Sequence, residues 1–160
     1  MEKNSIKSLK VICRVALTLC VLYCIAIIIQ SPKYFYENPG GEFIRWHGEN
    51  AWIKGTIVIG YVTTASIAVL LSALFFLNIL RGIKEGNIFP KRNISILHGL
   101  TLVTFMLSFF SSNLSVALSA DEHGIIVVTD INILLPLAVF TFTQMYKIAH
   151  VAMEDSRLAI

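Results

Sequence analysis

Apolar residues dominate four runs of this chain, at about 11–29, 55–80, 96–120 and 127–148. A helix needs roughly 17–25 predominantly apolar residues to cross the hydrocarbon core of a bilayer. Each run meets that length, so the pattern predicts four transmembrane helices. Run 55–80 carries no charged residue in 26 positions, and run 96–120 none apart from His98 if it is protonated. Arg14 is the single full charge in the first run. It lies one turn from the start, where a long side chain can snorkel to the interface. The fourth run has the least sharp boundary. Its start falls somewhere between Ile125 and Ile131, because the β-branched stretch IIVVT (125–129) suits a loop and Asp130 interrupts it.

The polar stretches between the runs predict an outer loop (30–54), a short connection (81–95) and a tail (149–160). In the outer loop, Asn38-Pro39-Gly40-Gly41 is a turn signal. KYFYE before it and EFIRW after it can pair as a hairpin, or residues 42–54 can lie flat as an interfacial helix. Tyr34, Phe35, Tyr36, Phe43, Trp46 and Trp52 suit the membrane–water interface, where Trp and Tyr concentrate. An external ligand platform is the sharper reading of these aromatics, and an anchoring belt the plainer one. In the short connection, Gly86 reads as a helix terminator and Pro90 as a first-turn residue, whose missing N–H costs nothing there. Asn93, in the same turn, is placed to bond the loop backbone.

Composition agrees with the pattern. The 160 residues are 56% hydrophobic and 14% charged, against about 25% charged in an average soluble domain. A soluble domain of this size cannot hide so much apolar surface. The basic start, MEKNSIKSLK, fits a secretory signal, but the first run exceeds the roughly 7–15 residues of a signal's apolar region. No small-residue cleavage site follows it, so a retained span is expected.

Charge then sets an expected orientation. Lys3, Lys7, Lys10, Arg14, Arg81, Lys84, Lys91, Arg92, Lys147 and Arg157 fall on one side of a four-span layout, and Lys33, Arg45 and Lys54 on the other. The excess predicts that both termini face the cytoplasm. Six of the ten acidic residues fall on the poorer side, so the formal net charge of +3 reflects topology. It is not a nucleic-acid footprint, and direct nucleic-acid binding is not expected.

Few residues carry candidate chemistry. Gly60, Thr64, Ala68 and Ser72 recur every fourth residue, a small-residue face that lets helices approach within the bundle or between copies in a homo-oligomer. His98, Thr101, Thr104, Ser108, Ser111 and Ser115 form a polar stripe on the third run. They would line a polar pathway, or simply bond helix carbonyls. Cys13, Cys20 and Cys24 share one face, without the CxxC or His spacing of a zinc site. Asp130 reads as an intramembrane carboxylate, or as the cap of the fourth helix. Pro136 would open a polar pocket near Asp130 and Asn113. His47, His98, His123 and His150 are scattered. No catalytic residue, metal site or cofactor site is assigned, and no enzyme activity is expected.

Two stretches carry a resemblance. EGNIFPKRN (85–93) precedes an apolar run, and TQMYKIAHVAMEDSRLAI (143–160) ends the chain. Together they resemble the bacterial membrane-protein family called domain of unknown function 2975, whose members are small four-span proteins. Gly86, Asn87, Phe89 and Asn93 match the first motif. Gln144, Lys147, Ala149, Glu154, Asp155, Leu158 and Ile160 match the second. Pro90 stands where that family usually has Thr or Ser, and Ala159 where it has Thr. Ser156 and Arg157 replace more polar or acidic residues. The resemblance implies a bacterial cytoplasmic membrane and a cytoplasmic helix-turn-helix regulator as partner. The partner face would then comprise Gly86, Phe89, Lys91, Arg92, Asn93, Lys147, Glu154, Asp155, Leu158 and Ile160.

The expectation is therefore an all-α, four-span transmembrane bundle in one membrane domain, in contact with the lipid bilayer. Its leading role is sensing or partner binding without catalysis. The alternative is a small transporter or channel-like subunit, with a pathway along Thr101, Thr104, Ser108 and Ser111 towards Asn113 and Asp130.

Overall fold

The computed structural model describes residues 2–35, 51–118 and 126–158. Four helices account for nearly all of them: α1 (Glu2–Phe35), α2 (Ala51–Lys84), α3 (Arg92–Leu118) and α4 (Ile131–Leu158). All four are long and apolar enough to cross a membrane. The protein is a multi-pass helical membrane protein. Both readings of the outer loop, hairpin and interfacial helix, fall mainly on residues 36–50, which lie outside the described residues, as do His47, His123 and Ile160. The side chain of Leu158 is likewise outside them.

Each helix overruns its apolar stretch. At 1.5 Å per residue the 34 residues of α2 extend about 51 Å, against a hydrocarbon core of about 30 Å. The surplus places polar turns beyond the apolar slab. α3 begins at Arg92, ahead of its first apolar residues, and α4 begins at Ile131 after an extended stretch at 126–129. The fourth span thus starts later than residue 127, because Asn113 holds that stretch in an extended form, as described below.

Two apolar clusters fix the layout. Cys13 of α1, Phe75 and Ile79 of α2, Leu97 of α3 and Tyr146 of α4 pack in one of them. Ile57, Val58 and Ala117 form the other, with Tyr34, Ile53, Phe110 and Leu114 against them. Each pairs the start of one helix with the end of the next, so the helices run up, down, up, down. The first residues, the α2–α3 connection and the end of α4 meet at one end, hereafter the basic end. Packing follows chain order: α2 with α3, α3 with α4, and α1 with α2. Outside these seams the surface is apolar, with Ile12, Leu19, Leu22 and Ile28 of α1 and Leu134, Leu137 and Ile148 of α4 all exposed. Such a surface suits lipid, whose tails are as apolar as the side chains.

Candidate functional site

The basic end is held by a polar hub that begins with Asn93. Its side chain is fully buried. Its Oδ1 accepts from Asn78 Nδ2 at 3.0 Å, while its Nδ2 donates to the Phe75 carbonyl at 3.3 Å and to the Tyr146 hydroxyl at 3.1 Å. Tyr146 in turn donates to the Pro90 carbonyl at 3.4 Å. One amide therefore ties α2, α3 and α4 together. Burying it without these partners would cost several kcal/mol, so its full set of bonds explains its position. Asn93 is part of the core; it does not belong to the solvent-facing partner surface expected from the motif.

The α2–α3 connection is built onto this hub. Gly86 has φ 72°, a left-handed conformation that glycine adopts without penalty. The Asn87 N–H donates to the Gly82 carbonyl at 2.7 Å, which closes the helix end in a Schellman pattern. A side chain at Gly82 would run into the Asn87 carbonyl and Pro90. Phe89 stacks edge-on against Tyr146, with centroids 5.3 Å apart. His150 Nδ1 lies 2.7 Å from the Phe89 carbonyl. A carbonyl only accepts, so Nδ1 carries the hydrogen. His150 Nε2 then faces Glu154 Oε2 at 3.6 Å. Lys91, Arg92, Lys147, Glu154 and Asp155 remain exposed around this assembly.

The polar stripe of α3 divides. Thr101 donates to the Leu97 carbonyl and approaches Thr143 Oγ1 of α4 at 3.5 Å. Ser108 is buried and donates to the Phe105 carbonyl at 2.9 Å, with the Asn132 carbonyl 3.5 Å away. That second contact has a specific cause. Pro136 sits inside α4 and has no N–H to offer Asn132, four residues earlier. The hydroxyl of Ser108 covers the carbonyl that proline leaves open, as hydroxyls do in membranes. Thr104 lines a crevice of about 420 Å³ with Ser72, Phe75 and Phe142. Ser111, Ser115 and His98 are exposed, and His98 Nδ1 lies 2.8 Å from the Ile94 carbonyl. The six residues do not share one inward face, because α3 has a neighbour on each of two sides.

A second polar knot lies at the other end. Asn113 is fully buried. Its amide donates to the Val127 carbonyl at 2.8 Å and accepts from the Val127 N–H at 2.7 Å. It thus treats the extended stretch as a strand partner. Asn132 accepts from the Thr129 N–H at 2.6 Å and from its hydroxyl at 2.7 Å, and reaches Ser112 at 3.2 Å. The Thr129 carbonyl accepts from the Asn132 N–H at 2.9 Å. These bonds fasten the turn that leads into α4. Asp130 takes the N-cap position expected of it: its carbonyl accepts from the Ile133 and Leu134 N–H groups at 3.0 and 2.9 Å, while its side chain is exposed. Asn113 is buried against Val127, whereas Asp130 is exposed.

The small-residue face of α2 also divides. The Phe110 ring of α3 lies against Gly60, where a Cβ would come within 2.5 Å of it. Thr64 bonds back to the Gly60 carbonyl at 2.6 Å. Ala68 and Ser72 border a groove towards α1. Four-residue steps advance about 40° each, so the row winds from α3 to α1. Asn78, Thr129, Thr143, Tyr146 and His150 were not singled out by spacing. Polar side chains within apolar runs were the available signal for Asn78 and Thr143. Among the described residues, no group of three or more His, Cys, Asp or Glu is placed to hold a metal ion. No family model matches the chain, and neither a curated protein nor a solved structure matches it.

Proposed function

We propose that this protein is a non-catalytic membrane component that presents a rigid partner-binding surface at its basic end. One observation carries the reading: the α2–α3 connection and the last turns of α4 are fastened together. His150 holds the Phe89 carbonyl at 2.7 Å and Tyr146 reaches that of Pro90. A surface held in advance loses little conformational entropy on binding. Lys91 and Arg92 lie on one part of it and Glu154 and Asp155 on another, a charge pattern suited to a polar protein partner. Thr101 and Ser108 of α3 bond helix carbonyls and Ser112 bonds Thr129 and Asn132 at the start of α4, which gives the transport reading less support.

The finer points belong to the same proposal. The ten-to-three bias in Lys and Arg supports a cytoplasmic basic end, with both termini inside. The two motifs support membership of the family called domain of unknown function 2975. With it come a bacterial inner membrane and a helix-turn-helix regulator as partner. The first motif has a structural rationale: Gly86 and Asn87 end α2, Phe89 packs on Tyr146, and Asn93 is the hub.

Charge reversal at four exposed positions tests the surface. The variant Lys91→Glu/Arg92→Glu/Glu154→Lys/Asp155→Lys is expected to integrate into membranes at the parental level. It should lose the soluble proteins that cross-link to the parent at residues 88 and 151. Retention of the same cross-linked partners by the variant would refute the reading. Reporter fusions at each terminus test the orientation independently.

A further inference from the structure

The seam between α1 and α2 carries chemistry that partner binding does not use. At the basic end, Lys10 and Arg14 of α1 face Arg81 and Lys84 of α2 across a cavity of about 320 Å³, bordered by Leu77 and Leu80. Small-ligand sites occupy about 300–1,000 Å³. Helical spacing brings these cations together: Lys10 and Arg14 are four apart, Arg81 and Lys84 three apart, each pair on one face. The contact between His150 and Glu154 lies on another helix, and among the described residues no carboxylate is paired with the four cations. Arg81 and Lys84 also gain from the carbonyl end of α2. Lys10 and Arg14 have no such benefit, since they lie in the N-terminal half of α1.

The same seam continues as an apolar trough of about 560 Å³, with Leu19 and Tyr23 on one wall and Ala68 and Ser72 on the other. From Arg14 to Leu19 the helix advances about 8 Å. A concentrated positive charge followed along the membrane normal by an open apolar trough is the negative image of an anionic amphiphile. Basic pockets between transmembrane helices recognise such headgroups.

We propose that the α1–α2 seam binds an anionic phospholipid, its phosphate held by Lys10, Arg14, Arg81 and Lys84 and one acyl chain lying against Leu19, Tyr23 and Ala68. The site requires the membrane setting and is independent of the partner surface. Native mass spectrometry of the full chain in detergent tests it, with phosphatidylglycerol and phosphatidylcholine as probes. Each cation removed is expected to cost about fivefold in affinity for the anionic lipid. The variant Arg14→Gln/Arg81→Gln should therefore bind phosphatidylglycerol roughly 25-fold more weakly and lose its preference over phosphatidylcholine. The control Lys91→Gln/Arg92→Gln, with equal charge removed outside the seam, should bind as the parent does. Equal loss in the control would reveal diffuse attraction and overturn the proposal, as would unchanged binding in the seam variant. Displacement of phosphatidylglycerol by millimolar inorganic phosphate would instead make the site one for a free anion, and would also overturn it. If the seam variant does not fold, Arg14→Lys/Arg81→Lys and Ala68→Trp decide. Retained binding in the first with loss in the second supports the lipid, and any other result refutes it.

Discussion

At the scale of single residues, the bundle depends on a few amides. Asn93 and Asn113 are both completely buried, yet they serve different neighbours. Asn93 joins side chains from three helices, and Asn113 joins a helix to an extended backbone. Interhelical hydrogen bonds in membranes average about 0.6 kcal/mol each, so the three bonds of Asn93 contribute roughly 2 kcal/mol. Asn93→Leu leaves Asn78 and the Tyr146 hydroxyl without that partner and is expected to lower stability by about this amount. Reversible unfolding in mixed micelles measures it, with Ser111→Ala at an exposed position as the reference. Equal effects of the two substitutions would show that the hub carries no special weight.

At the scale of elements, α4 depends on repair of its own proline. Ser108 covers the Asn132 carbonyl that Pro136 cannot reach. Ser108→Ala should cost about 0.6 kcal/mol, and close to nothing once Pro136→Ala restores the N–H. A double-mutant cycle reads the difference, and additive effects would sink the explanation. The existence of this helix was legible in its apolar run, as were those of the other three. Its start was not. Apolar content cannot distinguish a strand-like stretch from a helical turn, and residues 126–129 are settled by Asn113 from another helix. Gly86 was legible because a positive φ beside an apolar run leaves few alternatives to glycine. The interior place of Asn93 was not. Spacing shows which residues share a face, whereas burial depends on how many neighbours that face meets. The same cause split the stripe of α3 and turned the small-residue row of α2 from one partner to another.

At the scale of the whole molecule, the four-span plan follows from run lengths alone, while the order of packing does not. α1 is an edge helix, joined chiefly to α2, with most of its apolar surface outward. Its three cysteines report this arrangement, because Cys13 is buried, Cys20 half-buried and Cys24 exposed. A membrane-permeant maleimide should modify Cys24 fastest and Cys13 slowest in the folded protein. Intact-mass measurement of single-cysteine variants gives the order, and equal rates would place α1 elsewhere. The packing order also bears on biogenesis. Each helix leans mainly on the one synthesised just before or after it. A nascent chain can therefore close each hairpin as it leaves the translocation machinery, without holding an early segment in reserve for a late one. Mostly local contacts favour rapid assembly, and α1, already in the bilayer, would be waiting as the surface on which the second span is received.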